Sequence, residues 1–278
     1  MCIMKTKKNK QWKYHVVLIG MSLLLLYPTV YMISTSFKNM NEIYNSGLHL
    51  LPRHPTMENY VSVFGSLDVV RFLLNSLAIA TLAMVMKIIT SVLASYALVF
   101  MDFRFKNALF LFFSITMFIP FSVVMLPNYL TIYNMKLLNT VIGVALPMLA
   151  DAMGIFRIRQ AMRTIPKSLV EAARVDNVGH FTTMMRIVVP LVKPSVVAMS
   201  IYFFINAWNE YFWPMMIMKG RENYTITLAL QLFTASEAGS AWGSSMALAS
   251  IATVVPLILY LAAQKQIIGT FMQSGVKE

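Results

Sequence analysis

Long apolar runs separated by short polar segments constrain this chain more than any other feature. Their lengths suit helices that cross a hydrocarbon core of about 30 Å. They lack the alternation of apolar and polar residues that membrane strands need. The sequence therefore predicts an all-α integral membrane protein with six transmembrane helices, at about Val16–Ile33, Phe72–Phe100, Ala108–Tyr133, Thr140–Phe156, Ser195–Met218 and Ala241–Ala263.

Composition agrees with a membrane protein and argues against an enzyme. Hydrophobic residues make up 58% of the 278 residues and the mean hydropathy is +0.66, which is high for a soluble domain. The single cysteine, Cys2, excludes an internal disulfide and a cysteine metal site. No H-E-x-x-H motif occurs, and His15, His49, His54 and His180 lie outside the central parts of the predicted spans. We therefore predict neither a catalytic residue nor a metal site.

The first apolar run follows a lysine-rich tail, as the core of a signal peptide would. It lacks a small-x-small cleavage site, and Tyr27-Pro28 stands where cleavage would otherwise fall. We interpret the run as a retained first span. Residues 1–14 are then a basic tail and residues 15–278 a single membrane domain.

Lysine and arginine are distributed unevenly between the two sides of a six-span arrangement. One side holds six, and the other, which includes both termini, holds fifteen. Because positive residues concentrate in cytoplasmic loops, both termini are predicted to be cytoplasmic. The fifteen are Lys5, Lys7, Lys8, Lys10, Lys13, Arg104, Lys106, Arg157, Arg159, Arg163, Lys167, Arg174, Arg186, Lys265 and Lys277.

The formal net charge of +12 could also indicate nucleic-acid binding. The basic residues, however, lie between apolar runs and form no stripe on a soluble face. We therefore expect membrane lipid, and no nucleic acid, among the partners.

The segment Glu171–Pro190, EAARVDNVGHFTTMMRIVVP, is a polar interruption on the predicted cytoplasmic side. Pro166 suits the first turn of a helix, and Asn177 tolerates the left-handed conformation that ends one. Phe181, Met184 and Met185 give the following helix an apolar face before Pro190 and Pro194 interrupt it near the bilayer. The segment predicts two short helices joined by a turn, which would either lie among lipid headgroups or dock a soluble partner.

The spacing of this segment resembles the signature loop of binding-protein-dependent ABC importer permeases. That family has E-A-A, three residues, Gly, nine residues, and then I-x-L-P. The matching positions here include two departures, because Asn177 replaces the glycine and Val189 replaces the leucine. The positions are Glu171, Ala172, Ala173, Asn177, Ile187, Val189 and Pro190.

Further segments resemble carbohydrate-type permeases, particularly the second, six-span permease of maltose-type transporters. They are SFKNMNEIY, RFLLNSLAIA, NAWNEYFWPMM and the tail QKQIIGTFMQSGVK. The resemblance implies a type I permease fold with a core at about residues 70–265 and cytoplasmic coupling helices at about 164–186. It also implies a prokaryotic cell membrane, a homologous second permease, cytoplasmic ATP-binding subunits and an extracytoplasmic solute-binding protein.

No G-x-x-x-x-G-K-[ST] motif occurs in the sequence, so no Walker A cradle for ATP is expected in this chain. ATP and Mg²⁺ would then be bound by the partner ATPase. Our hypothesis is that five residues form the contact that transmits its motion. They are Glu171, Ala172, Ala173, Asp176 and Phe181.

Polar residues within the apolar runs mark a candidate substrate pathway, because a charge at bilayer depth costs about 2.5 kcal/mol or more. The candidates are Asp151, Tyr202, Asn206, Asn209 and Glu210. Tyr202, Asn206 and Asn209 recur at helical spacing and offer the hydrogen bonds and the aromatic ring that sugars require.

Several of these residues also allow other interpretations. Lys87 could be the structural partner of a carboxylate, Glu210 could sit at the interface, and Trp208, Phe212 and Trp213 are typical of an interfacial aromatic belt. A secondary transporter with Lys87, Asp151 and Glu210 as an ion relay is the rival function. An ABC permease for a polyol or a glycerol phosphodiester is a further alternative.

Overall fold

The computed structural model describes residues 8–45, 49–236 and 241–275, and the side chains of residues 12–45, 49–235 and 241–265. Lys5, Lys7 and Lys277, on which the predicted orientation partly depends, lie outside the described residues. All the regular secondary structure in the described ranges is helical.

The helices, in chain order, begin with α1 (Lys8–Thr35), α2 (Met40–Asn45), α3 (Glu58–Ser66), α4 (Val69–Phe100), α5 (Lys106–Thr116), α6 (Phe121–Asn134), α7 (Val141–Ala145) and α8 (Ala152–Met162). They continue with α9 (Lys167–Val175), α10 (His180–Thr183), α11 (Val189–Leu191), α12 (Lys193–Asn209), α13 (Phe212–Ile217), α14 (Ile226–Ser236) and α15 (Trp242–Gly275). A π-helical turn, Met184–Val188, joins α10 to α11, and 3₁₀ turns follow α7 and precede α14.

Single and bent helices together account for the six predicted spans. Three single helices have the length and composition to cross a bilayer: Trp12–Thr35 in α1, Val69–Phe100, and Trp242–Lys265 in α15. Three further candidates are each a pair of helices bent by more than 40° at a short break, which is the geometry of a broken span or of a re-entrant loop. The bends are 99° between α5 and α6, 48° between Val141–Met148 and α8, and 84° between His180–Leu191 and α12. The all-α membrane fold is confirmed, and the predicted number of six spans is reached when each bent pair counts as one span.

The breaks have local causes in the sequence. Pro120 is the N-cap of α6, Pro147 lies in the 3₁₀ turn after α7, and Pro194 lies in the first turn of α12. A proline lacks the N–H that would continue a preceding helix and favours the first turn of a new one. Prolines therefore help to fix where these spans break.

The chain divides into two compact units by internal contacts. In the first, residues 1–69 and 230–253, the amide of Asn59 donates to the carbonyls of Ser36 and Lys38 at 2.9 and 2.8 Å. The Lys38 ammonium is buried, donates to the His49 carbonyl and lies over the Tyr31 ring. These bonds tie α3 and the preceding loop to the end of α1.

The second unit, residues 70–229 and 254–278, contains the candidate site. An apolar cluster in this unit packs α4, α8 and the segment from α9 to α12 together. The cluster comprises Val92, Tyr96, Val99, Phe100, Ile158, Met162, Ile165, Val170, Met184, Val188 and Val192.

Candidate functional site: a docking loop and a polar face

The first helix of the loop, α9, is strongly amphipathic. Pro166 is the N-cap of α9. The sequence analysis had placed it one position later, in the first turn of the helix. Val170 belongs to the apolar cluster, and Ala173 is also buried, at only 6% exposure. Glu171, Ala172 and Asp176 are exposed. Ala173, one of the five residues predicted to form the contact, therefore packs against this chain's own core.

The end of α9 is a Schellman motif centred on Asn177. Asn177 has a φ of 56°, the left-handed conformation that the sequence predicted for it. The Val178 N–H donates to the Ala173 carbonyl at 2.9 Å, and the Asn177 N–H donates to the Arg174 carbonyl at 3.0 Å. These two bonds satisfy carbonyls that the helix end would otherwise leave unpaired. Asn177, which stands where the signature loop has glycine, therefore preserves the tight turn.

We expect Asn177→Gly to leave the stability of the folded chain nearly unchanged, because glycine adopts a positive φ freely. Asn177→Val should destabilise the loop by about 1–2 kcal/mol, since a β-branched residue is strained in the left-handed region. Limited proteolysis at the turn, compared with wild type, measures the difference. Equal protection of the two variants would show that the left-handed turn does not matter.

In the second part of the loop the helix continues through Pro190, where the sequence predicted an interruption. The α10 helix, the π turn and α11 together span His180–Leu191, and the break falls at Val192. In a regular α-helix the Pro190 ring would clash with the carbonyl of Arg186. Arg186 lies instead in the wider π-helical turn Met184–Val188, which directly precedes α11 and its proline.

Hydrogen bonds from both parts of the loop hold it against α4. The Arg174 guanidinium donates from Nη2 to the Phe100 carbonyl, the last residue of α4, at 2.6 Å. The Tyr96 hydroxyl and His180 Nδ1 are hydrogen-bonded at 3.2 Å, and their rings meet edge to face. The sequence analysis missed these contacts, because no local pattern pairs Tyr96 with a residue 84 positions away. They make the loop and α4 suited to move together.

Apolar side chains on both parts of the loop remain uncovered. Val175 is 81% exposed and Phe181 is 69% exposed, and Leu169 and Met185 are exposed as well. We call Leu169, Glu171, Ala172, Val175, Asp176, Phe181 and Met185 the docking face. Of the other predicted loop residues, Ile187 is half-buried and Pro190 is exposed. Uncovered apolar groups beside charged ones are typical of a surface that binds another protein.

The carboxylate of Asp151 has two partners at the break in the fourth span. The Lys87 ammonium lies 3.3 Å from Oδ2, and Oδ1 accepts from the Gly154 N–H at 3.0 Å as the N-cap of α8. The carboxylate partner expected for Lys87 is thus Asp151 in this same chain. The Thr90 hydroxyl donates to the Leu149 carbonyl, so α4 also satisfies backbone groups freed by the break.

Tyr202, Asn206 and Asn209 lie on one side of α12 and are all exposed. The Asn206 amide donates to the Tyr202 carbonyl at 2.7 Å, which fixes its side chain along the helix. The spacing expected from the sequence therefore yields a continuous polar face. Contact between that face and a solute stays a prediction.

Glu210 lies outside the fifth span, in a break between α12 and α13. The predicted run Ser195–Met218 is interrupted there because Oε1 of Glu210 accepts from the N–H groups of Phe212 and Trp213, at 2.9 and 3.1 Å. This contact satisfies the first donors of α13. Glu210 has a capping role in this chain, and its assignment to the substrate pathway stays a prediction.

Replacing Glu210 with alanine should destabilise the chain by about 1 kcal/mol, because two N–H groups at the start of α13 lose their acceptor. Glu210→Gln retains an acceptor oxygen and should cost less. Thermal unfolding of the purified chain would measure both. An alanine variant as stable as wild type would contradict the capping role.

The prediction of an interfacial aromatic belt near this break is wrong for both tryptophans. Trp208 is 2% exposed and Trp213 is fully buried, and the Trp213 Nε1–H donates to the Val144 carbonyl at 3.0 Å. Only Phe212 of the three is exposed. Tryptophan can be buried when its N–H finds an acceptor, and α7 provides one here.

Solved structures share this fold over nearly the whole chain. A bacterial ABC transporter involved in the import of the acidic polysaccharide alginate aligns with a TM-score of 0.82 at 22% identity, over 96% of this chain and 100% of that one. The alginate transporter solved with an alginate pentasaccharide-bound periplasmic protein aligns with a TM-score of 0.67 at 14% identity, over 94% and 95%. Both establish a likeness of fold.

Sequence relatives cover the chain equally well. The sn-glycerol-3-phosphate transport system permease protein UgpE of Brucella melitensis is 32% identical over 90% of this chain and 92% of its own. The arabinooligosaccharides transport system permease protein AraQ of Halalkalibacterium halodurans is 28% identical over 98% and 99%. The family model for the binding-protein-dependent transport system inner membrane component matches residues 87–269. The chain therefore belongs to this family and is a membrane permease subunit of a binding-protein-dependent importer.

Proposed function

We propose that this chain and a second, homologous permease together form a pathway for carbohydrate uptake, powered by separate cytoplasmic ATPase subunits. The observation that supports the ATPase partner best is the loop around Asn177. It is bonded to α4 on one side and leaves Val175 and Phe181 uncovered on the other. ATP and Mg²⁺ would bind in the partner, since the sequence has no Walker A motif.

Closure of the ATPase would then push the docking face and tilt the spans attached to it. A stiff loop transmits such a rigid-body movement, whereas a loop that bends would absorb it. The Arg174–Phe100 and Tyr96–His180 contacts link the loop to α4. Near its middle, α4 carries Lys87, which pairs with Asp151 at the start of α8. The movement would therefore reach the broken fourth span.

The proposed orientation places both termini and the docking face in the cytoplasm of a prokaryotic cell. The excess of lysine and arginine on that side supports it. An extracytoplasmic solute-binding protein would deliver the solute to the opposite face of the membrane.

An oligosaccharide-class solute is the proposal for the substrate. The arabinooligosaccharide relative and the polar face of Tyr202, Asn206 and Asn209 support it. A second candidate is a glycerol phosphate, because the UgpE proteins of two Brucella species are 32–33% identical, more than AraQ is. Uptake of radiolabelled oligosaccharide and of sn-glycerol-3-phosphate by cells that express the complete transporter would separate the two.

The test of the ATPase role is co-purification of this chain in mild detergent. An ATPase should accompany it, and the binding protein loaded with solute should increase the rate of ATP hydrolysis. Absence of an ATPase, together with uptake that an ionophore abolishes and ATP depletion leaves unchanged, would overturn the proposal.

A further inference from the structure

A basic cavity lies where α4 ends, α5 begins, and α8 leads into α9. Its volume is about 360 Å³. Four cationic side chains line it, from Lys106, Arg159, Arg163 and Lys167. Leu98, Val99 and Ile165 form its apolar wall. No part of the proposed function uses this cavity.

The cavity carries far more positive than negative charge. Of the four cations, only Lys106 forms an ion pair among the described side chains, with the exposed carboxylate of Asp102 at 3.7 Å. Lys106 also donates to the carbonyls of Val99 and Met101 at 3.1 and 2.7 Å. Arg163 and Lys167 are exposed. Four positive groups around one cavity repel each other unless an anion enters it.

Arg159, which lines the cavity, is held in place by an aromatic ring. Its guanidinium carbon lies 3.7 Å from the centre of the Phe110 ring, which in turn stacks on Phe156 at 6.0 Å. Its Nε is buried and has no hydrogen-bond partner within the described part of the chain. Stacking fixes the planar fork of an arginine, and that fork matches the oxygens of a phosphate. The unpartnered Nε–H thus indicates a missing acceptor.

The surroundings of the cavity favour a lipid over a soluble anion. The cavity is at the ends of three membrane-spanning segments, where lipid headgroups are found. Leu109, one turn along α5 from Lys106, is exposed, as are Phe105 and Phe112. An acyl chain could lie along these side chains while its phosphate occupied the cavity.

We propose that this cavity binds the headgroup phosphate of an anionic phospholipid, with Arg159 and Arg163 as its principal ligands. The site lies in the inner leaflet if the proposed orientation is correct, but binding itself does not depend on that orientation. A bound lipid would bridge α5, α8 and the start of α9, and so stabilise the base of the docking loop.

The test uses the purified full-length chain, with the subunits that accompany it, in detergent micelles. Phosphatidylglycerol or phosphatidylcholine of the same acyl chains is added, and the lipid retained after washing is counted by native mass spectrometry. Wild type should retain phosphatidylglycerol in preference to phosphatidylcholine. The variant Arg159→Gln/Arg163→Gln should bind phosphatidylglycerol about tenfold more weakly, since each cation near a phosphate contributes appreciably. The control Lys219→Gln/Arg221→Gln removes two exposed cations elsewhere and should bind as wild type.

The variant Arg163→Gln/Lys167→Gln changes only exposed side chains and so keeps the test valid if Arg159→Gln impairs folding. Weaker phosphatidylglycerol binding by this variant supports the proposal. Equal binding of the two lipids by wild type would overturn it. Full displacement of phosphatidylglycerol by millimolar inorganic phosphate would show that the cavity binds a free anion, and would overturn the proposal of a lipid. Unchanged lipid binding combined with loss of a co-purifying ATPase would reassign the cations to a protein contact.

Discussion

Ala172→Trp is expected to reduce uptake about tenfold or more while the amount of permease in the membrane stays close to wild type. Ala172 is exposed on the docking face, so a tryptophan there would project from the described surface and not into the apolar core. In the proposed complex, that tryptophan would instead meet the ATPase. Overpacking a close interface costs about 1–3 kcal/mol, and each 1.4 kcal/mol weakens binding about tenfold. Uptake and co-purified ATPase, both measured per permease, are the readouts.

Two variants separate loss of docking from loss of folding. Ala262→Trp places the same side chain at an exposed position of α15 and should transport as wild type. Ala173→Trp places it at a buried position and should lower the amount of folded permease, because there is no room for the larger side chain. The docking hypothesis fails if Ala172→Trp retains both full uptake and a full complement of ATPase.

Lys87→Met should destabilise the chain by about 3 kcal/mol, the second large effect that we expect. It leaves the Asp151 carboxylate without its cation inside a membrane span. Removing one partner of a buried pair costs about 3–5 kcal/mol. The lower end applies here, because the two side chains are 14% and 25% exposed. Thermal unfolding of the purified chain is the measurement.

A double variant in which both residues are uncharged tests whether loss of the ion pair causes the loss of stability. Asp151→Asn keeps an oxygen that can cap α8 at Gly154, so the double variant Lys87→Met/Asp151→Asn should recover most of the lost stability. Lys219→Met, which removes an exposed lysine, is the matched control. Additive losses in the double variant would mean that the two residues act independently.

Much of the fold follows from local patterns and was therefore predictable. Hydropathy depends on consecutive residues, so it located the three single-helix spans and apolar helices in each of the three bent pairs. The turn at Asn177 was predictable for the same reason, since asparagine is among the few residues that adopt a left-handed conformation readily. The break at Glu210 was not predicted, because α13 is itself apolar and only Glu210 and Tyr211 separate it from α12.

Other features depend on which surfaces meet, and a single sequence does not specify that. Ala172 and Ala173 are the same residue type at adjacent positions, yet Ala172 is exposed and Ala173 is buried. Trp208 and Trp213 are buried because Trp213 finds an acceptor on α7 and Trp208 stacks on Phe204. The identity of the Lys87 partner required the structure for the same reason.

Photo-crosslinking at Val175 tests the docking of an ATPase most directly. A benzophenone amino acid replaces Val175, which is 81% exposed on the docking face, and cells that express the complete transporter are irradiated. The same probe at Leu25, exposed on the apolar α1, is the control that should react with lipid alone. We predict a product that joins this chain to an ATPase subunit at Val175. A Val175 probe that labels only lipid, as at Leu25, would contradict the account.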